Sequence, residues 1–305
     1  MVRSRPMTME PPRMQVIRGG RAVTQEDVSI CFYLPRSTME VVPSISSALQ
    51  IYLDAIGPQT LNHYLGDDGE WWRLDDAGWA AVRGQLHDPL RALASLTNDA
   101  PYPEKYEFGY DGKDIHSRIF GRKPGAVTAV RFGLPLSWLK THGPQRVREL
   151  ALALAAPLPF SSGHAGLSVT GFLEVVRIMD EVVPQLLPHP GVDVQNLSQT
   201  ALEIGTRLRV PHWLTFIGDP ALKQMGGPDF LRAQLHAPGT TVESLDASRA
   251  VVTLGSAPEG GGPDQPLPAY RELARVLEPW AYHPKSCPGF SPEDAFLRWE
   301  RRFLD

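Results

Sequence analysis

Ser161-Ser-Gly-His-Ala-Gly166 is the place to look first for chemistry, because it sets two hydroxyls, an imidazole and two glycines in six residues. A hydrolase reading would take Ser161 or Ser162 as nucleophile and His164 as base. The order fails that reading, since a nucleophile elbow needs Gly-x-Ser-x-Gly at a strand–helix turn. A base also normally comes from elsewhere in the fold than its nucleophile. The segment instead predicts a tight turn leading into a strand at Gly166–Val169.

The nine histidines are scattered, with no i, i+4 pair and no Cys/His spacing, so no zinc motif is present, although remote histidines can meet in space. Glu259-Gly-Gly-Gly-Pro-Asp264 lacks the Gly-Lys-Ser/Thr of a phosphate loop and reads as a plain surface loop. No catalytic residue, metal ligand or cofactor-binding residue is therefore assigned, and no cofactor is expected.

Gly66-Asp-Asp-Gly-Glu-Trp-Trp-Arg-Leu-Asp-Asp76 sets five carboxylates against one arginine, with Trp71 and Trp72 between them. Three readings stand. It is a solvated turn with helix-capping aspartates and one core Trp, an acidic interface with aromatic anchors, or a divalent-ion site. As an interface it would use Asp67, Asp68, Glu70, Trp71 and Trp72.

The elements that must position these residues follow from spacing. Apolar residues recur at helical intervals in Ile45–Ile56, in Trp79–Leu93 behind the capping candidates Asp75 and Asp76, where Pro89 is expected to kink or break the element, and from Pro144 to Leu154. They recur again in Phe172–Val183, Pro268–Leu277 and, behind Ser291-Pro292, Phe296–Phe303. Strands are predicted at Val28–Leu34, Tyr106–Tyr110, Val127–Leu134, Leu214–Ile217, Thr241–Leu245 and Ala250–Leu254. Glu107, Gly109 and Asp111 alternate with aromatics, which predicts a wet sheet face. Asp219 and Pro220 open a helix, and Gly226-Gly227 closes it where positive φ is easy.

Helices and strands mix without regular alternation, so the expected class is α+β, with mixed or antiparallel sheets flanked by helices. Val28–Pro35 and Val127–Pro135 are both strands ending in Leu-Pro and followed by an apolar helix. Two related strand–helix halves would explain this echo, and so would chance. The expected organisation is a basic, proline-rich disordered tail at 1–14 and one large domain at 15–305, with candidate sub-lobes 15–125 and 126–305.

The net charge of −4 argues against nucleic acid as a partner. No secretory signal or bilayer-spanning run is apparent, and two cysteines give no disulfide framework. A cytoplasmic protein without a membrane partner is expected.

The ordered segments Tyr106-Glu-Phe-Gly-Tyr-Asp-Gly112, Leu158–Gly166, His189-Pro-Gly-Val-Asp193 and His212-Trp-Leu-Thr-Phe-Ile-Gly218 carry a likeness. So do Gly226-Gly227, Val252–Pro258, Tyr270, Leu277-Glu-Pro279 and Trp299-Glu-Arg-Arg-Phe303. Together they resemble the bacterial type VI secretion immunity protein family. That resemblance implies a non-enzymatic protein that binds and neutralises a cognate secreted toxin, often a nuclease. It carries no catalytic residue onto this chain. An acidic surface suits such a partner, because a nuclease presents positive charge to phosphates. Alternatives are a hydrolase or metal-dependent enzyme built from remote residues, starting from Ser161, Ser162 and His164, or a structural, homo-oligomeric subunit.

Overall fold

The computed structural model describes residues 14–98, 104–173, 175, 177–209, 211–284 and 293–305. The sequence readings for residues 1–13, Cys287 and the Ser291-Pro292 cap lie outside the described residues. Met14, expected in the tail, is fully buried, and its N–H donates to the Glu26 carboxylate.

A small hairpin, β1 (Ile17–Arg18) and β2 (Arg21–Ala22), precedes the long strand β3 (Thr24–Leu34) and helix α1 (Thr38–Ile56). A second hairpin, β4 (His63–Leu65) and β5 (Trp71–Arg73), is followed by α2 (Asp76–Leu86), β6 (Leu93–Thr97) and β7 (Glu107–Asp111). Next come β8 (Thr128–Pro135), α3 (Leu136–Ala155), β9 (Ser162–Gly171), α4 (Ile178–Leu186), β10 (Asp193–Val194) and α5 (Leu197–Glu203). The chain continues through β11 (Leu214–Gly218), α6 (Ala221–Gln224), α7 (Pro228–Gln234), β12 (Thr240–Ser244) and β13 (Arg249–Leu254). It closes with α8 (Pro268–Leu277) and α9 (Glu293–Glu300).

Eleven of the strands form one sheet in the order β12-β13-β11-β9-β3-β8-β7-β6-β4-β5, with β10 added beside β9. Every pairing but β10–β9 is antiparallel. The fold is α+β. Strand β3 is buried at all eleven residues, so both faces of the sheet centre are covered. Its period of two sends Val28, Ile30, Phe32 and Leu34 to one face and Asp27, Ser29, Cys31 and Tyr33 to the other.

On the apolar face α1 and α3 pack over β3 and β8. Phe32, Phe160 and Phe216 meet at ring distances of 5.1–5.8 Å, and Tyr52 donates to the Gly133 carbonyl at 2.5 Å. Capping starts the helices, at Asp75 as the sequence predicts and at Ser37, ahead of the helical period that the sequence shows from Ile45. Ser37 and Glu40 form a capping box for α1, and Asp75 accepts from Gly78 N–H at 2.9 Å for α2. Pro144 follows a break at Gly143 (φ 79°), where the backbone leaves helical geometry within α3. Asp219 accepts from Lys223 N–H at 3.1 Å, and Gly226 and Gly227 end α6 with φ of 95° and 87°.

Several expectations are corrected. The 162–166 segment is strand rather than turn, since Tyr33 pairs with Ser162 and Cys31 with His164. Gly163 is there for space, because a Cβ would come within 2.5 Å of Phe32 Cδ1. Helix α2 stops at Leu86. Asp88 accepts from Leu90 N–H at 2.8 Å and Arg91 N–H at 2.9 Å, which turns the chain before Leu93 enters β6. Phe172 and Val175 lie outside α4 and are exposed. The face carrying Glu107, Gly109 and Asp111 is not wet, because α5 packs on β7 and β8. Asp111 is buried and paired with buried Lys113 at 2.8 Å.

The two strand–helix units lie side by side, with β3 and β8 antiparallel neighbours and α1 against α3. Their onward paths differ, since α3 leads to β9 beside β3 whereas α1 leads to β4 near the far edge. Among the described residues no helix is long and apolar enough to cross a membrane.

Trp213, only 1% exposed, lies in the core immediately before β11. Trp213→Ala is expected to cost about 3–5 kcal/mol in chemical denaturation; a variant as stable as wild type would place the indole outside the core.

Candidate functional site

Two constellations hold chemically capable side chains, one buried on the polar face of the sheet and one exposed at its β5 edge. The buried one begins with sheet register. Cys31 and Thr215 flank His164 on neighbouring strands, and β10 brings Asp193 beside Ser168 of β9. The turn before β11 adds His212. The donor atoms of His164, Asp193 and His212 lie within 4.8 Å of one another, all buried.

Arg209 grips Asp193 with two hydrogen bonds, Nε to Oδ2 at 3.0 Å and Nη2 to Oδ1 at 2.8 Å. His212 Nε2 lies 3.1 Å from the same carboxylate, and Gln195 Nε2 donates to it at 3.0 Å. The Gln195 amide also reaches His164 Nε2 at 3.1 Å, while Cys31 Sγ donates to its Oε1 at 3.4 Å. Glu300 stands 3.6 Å from Arg209, and Arg302 stands 3.9 Å from Asp193.

Burial alone would raise the Asp193 carboxyl, but Arg209 and His212 outweigh it and hold it well below the usual carboxylate range. Burial pushes His164 well down, helped by the neighbouring His212, and pushes His212 down too. The two imidazoles stack at 4.0 Å and 22°. A ring nitrogen's lone pair lies in the ring plane, so near-parallel stacked rings cannot both aim at one ion. In this arrangement the cluster is a hydrogen-bonded lock between β9, β10 and the turn before β11. Neither Ser161 nor Ser162 hydrogen-bonds His164 in the structure. Ser161 Oγ instead donates to the Tyr33 carbonyl at 3.3 Å, and all three residues are buried.

Further along the same face, Arg131 donates to Ser29 at 3.0 Å, to Glu107 at 2.5 Å and to buried Asp27. Burial raises Asp27 even against that guanidinium.

The exposed constellation is the β4–β5 hairpin, which the sequence reads as a loop. Tyr64 pairs with Trp72 and Leu65 with Trp71, and Gly66 N–H donates to the Glu70 carbonyl at 2.8 Å to close the tip. Asp67, Asp68, Glu70, Trp71 and Trp72 are thereby gathered at the last strand of the sheet. Neither indole is a core residue, since Trp71 is 48% and Trp72 51% exposed.

Asp68 accepts from Trp72 Nε1 at 3.1 Å, and Asp67 accepts from Gln85 at 3.1 Å. The Glu70 amide, followed by the Trp72 indole, lowers the Asp68 carboxyl from its ordinary value, so it stays charged. Between hairpin and α2 runs a cleft of about 600 Å³ lined by Asp67, Asp68, Trp72, Asp88, Arg91 and Leu93. Asp88 is absent from the sequence reading, and Leu93 enters it only as a helical apolar position. Pro89, read there as a kink or break, marks where the helix stops and frees them.

Comparison with known proteins decides what such a chain is. Residues 44–303 match the family TsiV, described as type VI immunity for VRR-NUC. The chain belongs to this family. It is thus an immunity protein that binds and neutralises a type VI secreted toxin. The Pseudomonas aeruginosa T6SS protein PA0821 has a similar fold, with a TM-score of 0.74 at 17% identity over 95% of this chain and 87% of that one. No curated protein matches the chain.

Within this TsiV chain, three of the segments that carry the resemblance supply His164, Asp193 and His212 to the buried lock, and the C-terminal one adds Glu300 and Arg302. Arg209→Met removes one partner of a buried pair and should destabilise the protein by about 3–5 kcal/mol. Urea denaturation checks this; an unchanged midpoint would mean that the pair holds nothing together.

Proposed function

We propose that this chain neutralises a VRR-NUC toxin without chemistry of its own, by covering the toxin's phosphate-binding surface with the acidic hairpin. The reading rests on one observation, the gathering of Asp67, Asp68 and Glu70 with two half-exposed tryptophans beside a cleft at the sheet edge. A nuclease needs positive charge where phosphates lie, so an acidic surface competes for that site and steers the encounter. Trp71 and Trp72 supply rigid apolar area of the type that anchors interfaces. The place of action is then the compartment that holds the nucleic acid, the cytoplasm.

The test begins with the VRR-NUC toxin co-purified with the tagged chain from its native host and identified by mass spectrometry. Asp67→Lys with Asp68→Lys should slow association about tenfold and flatten its salt dependence. Trp72→Ala should mainly speed dissociation. Wild-type kinetics in the double lysine variant would rule this surface out.

A further inference from the structure

The connection from β7 to β8, residues 112–127, is sixteen residues long and contains no helix or strand. Loops of that length inside compact sheets are uncommon and are usually functional. This one is built rather than slack. Phe120 is 7% exposed and anchors it from below, near the buried Lys113. Turn hydrogen bonds close it internally, from Ser117 N–H to Asp114, Gly121 to Ser117, Lys123 to Phe120 and Ala126 to Lys123. Gly125 sits against α5, where a Cβ would come within 2.3 Å of the Glu203 carbonyl.

What the loop presents is basic. Arg118, Arg122 and Lys123 are exposed, and among the described residues none of their side chains has an ion-pair or hydrogen-bond partner. Ile119 lies among them, 64% exposed, more than any other large apolar side chain described. A cleft of about 600 Å³ opens on the Arg122 and Lys123 side of the loop, bordered also by Glu203, Arg207, Tyr282 and His283. Sheet register sets this loop at the same end of the sheet as the acidic hairpin tip. Strand β7 ends at Asp111 opposite Leu93, where β6 begins, and Leu90, itself 59% exposed, accepts from Asp114 N–H at 3.2 Å. One rim therefore runs from acidic carboxylates through exposed leucines to unpaired cations.

We propose that the loop 114–124 is a second contact surface for a protein partner, with Arg118, Arg122 and Lys123 meeting an acidic patch on it around Ile119. Building on the toxin-binding reading above, that partner is the same toxin, met through charges of both signs along one rim. Charge complementarity selects an acidic occupant. The nature of the surface selects protein over nucleic acid. An aliphatic side chain stands at its centre, Tyr282 in the cleft is buried and offers no stacking platform, and the acidic hairpin on the same rim repels phosphate. Because the loop is already ordered, docking loses little conformational entropy.

The experiment measures association and dissociation of the co-purified VRR-NUC toxin with three forms of the full chain: wild type, Arg122→Glu with Lys123→Glu, and Ile119→Ala. Melting temperatures confirm that each is folded. The double glutamate variant should associate about tenfold more slowly, and Ile119→Ala should dissociate faster. If wild type binds, the hairpin lysine variant is impaired and both loop variants bind normally, the loop surface is overturned while the hairpin stands. If wild type binds no VRR-NUC toxin, the common basis of both is lost. A fluorescent DNA duplex is titrated in parallel. Salt-dependent binding of it that the double glutamate variant abolishes would assign the loop to nucleic acid and overturn the proposal.

Discussion

The fold depends on covering a sheet face that is polar at its centre. Strand β3 carries Asp27, Ser29, Cys31 and Tyr33 on one side, and β9 sets Ser162, His164, Ser168 and Thr170 beside them. A face like this normally meets water. Here it is buried, so each charge needs a partner or its desolvation would outweigh the packing gained. The ion pair between Asp193 and Arg209 meets that demand at the β10 end, and Arg131 between Asp27 and Glu107 meets it at the other. Such pairs contribute little net stability against an apolar replacement. What they do is specify which segments may lie on that face, because any other covering leaves a charge unmatched.

That constraint separates the interior from the rim. Segments distant in sequence, around residues 164, 193, 212 and 302, are pinned together under the sheet. The hairpin between β4 and β5 and the loop before β8 stand at one end of the same sheet. The lock itself joins stacked imidazoles to a carboxylate that accepts from Arg209 and Gln195 and lies 3.1 Å from His212.

Legibility in the sequence followed the strength of local signals. Helix α8 and strands β3, β8, β11 and β13 were readable because a period of two or of three to four runs through them, closed by proline, glycine or a capping carboxylate. The acidic hairpin was legible as a patch but not as strands, since Trp71–Arg73 is only three residues long and carries no alternation of its own. Leu90 and Leu93 fitted a helical period by accident. Pro89 signals the break, and the carboxylate of Asp88 turns the chain at Leu90 and Arg91. Ser161–Gly166 read as a turn because of its glycines, while in the sheet Gly163 makes room for Phe32.

The sequence by itself determined the α+β class, most of the elements, the family resemblance and the acidic hairpin, because each is written in neighbouring residues. Tertiary structure alone decided that the face of Glu107 and Asp111 would be buried and that His164, Asp193 and His212 would meet. It also decided that the hairpin and the basic loop would share one rim. Those outcomes depend on strand order, register and contacts between distant segments, as where Arg302 stands 3.9 Å from Asp193. No local period encodes such pairings; they follow from which arrangement leaves no buried charge without a partner.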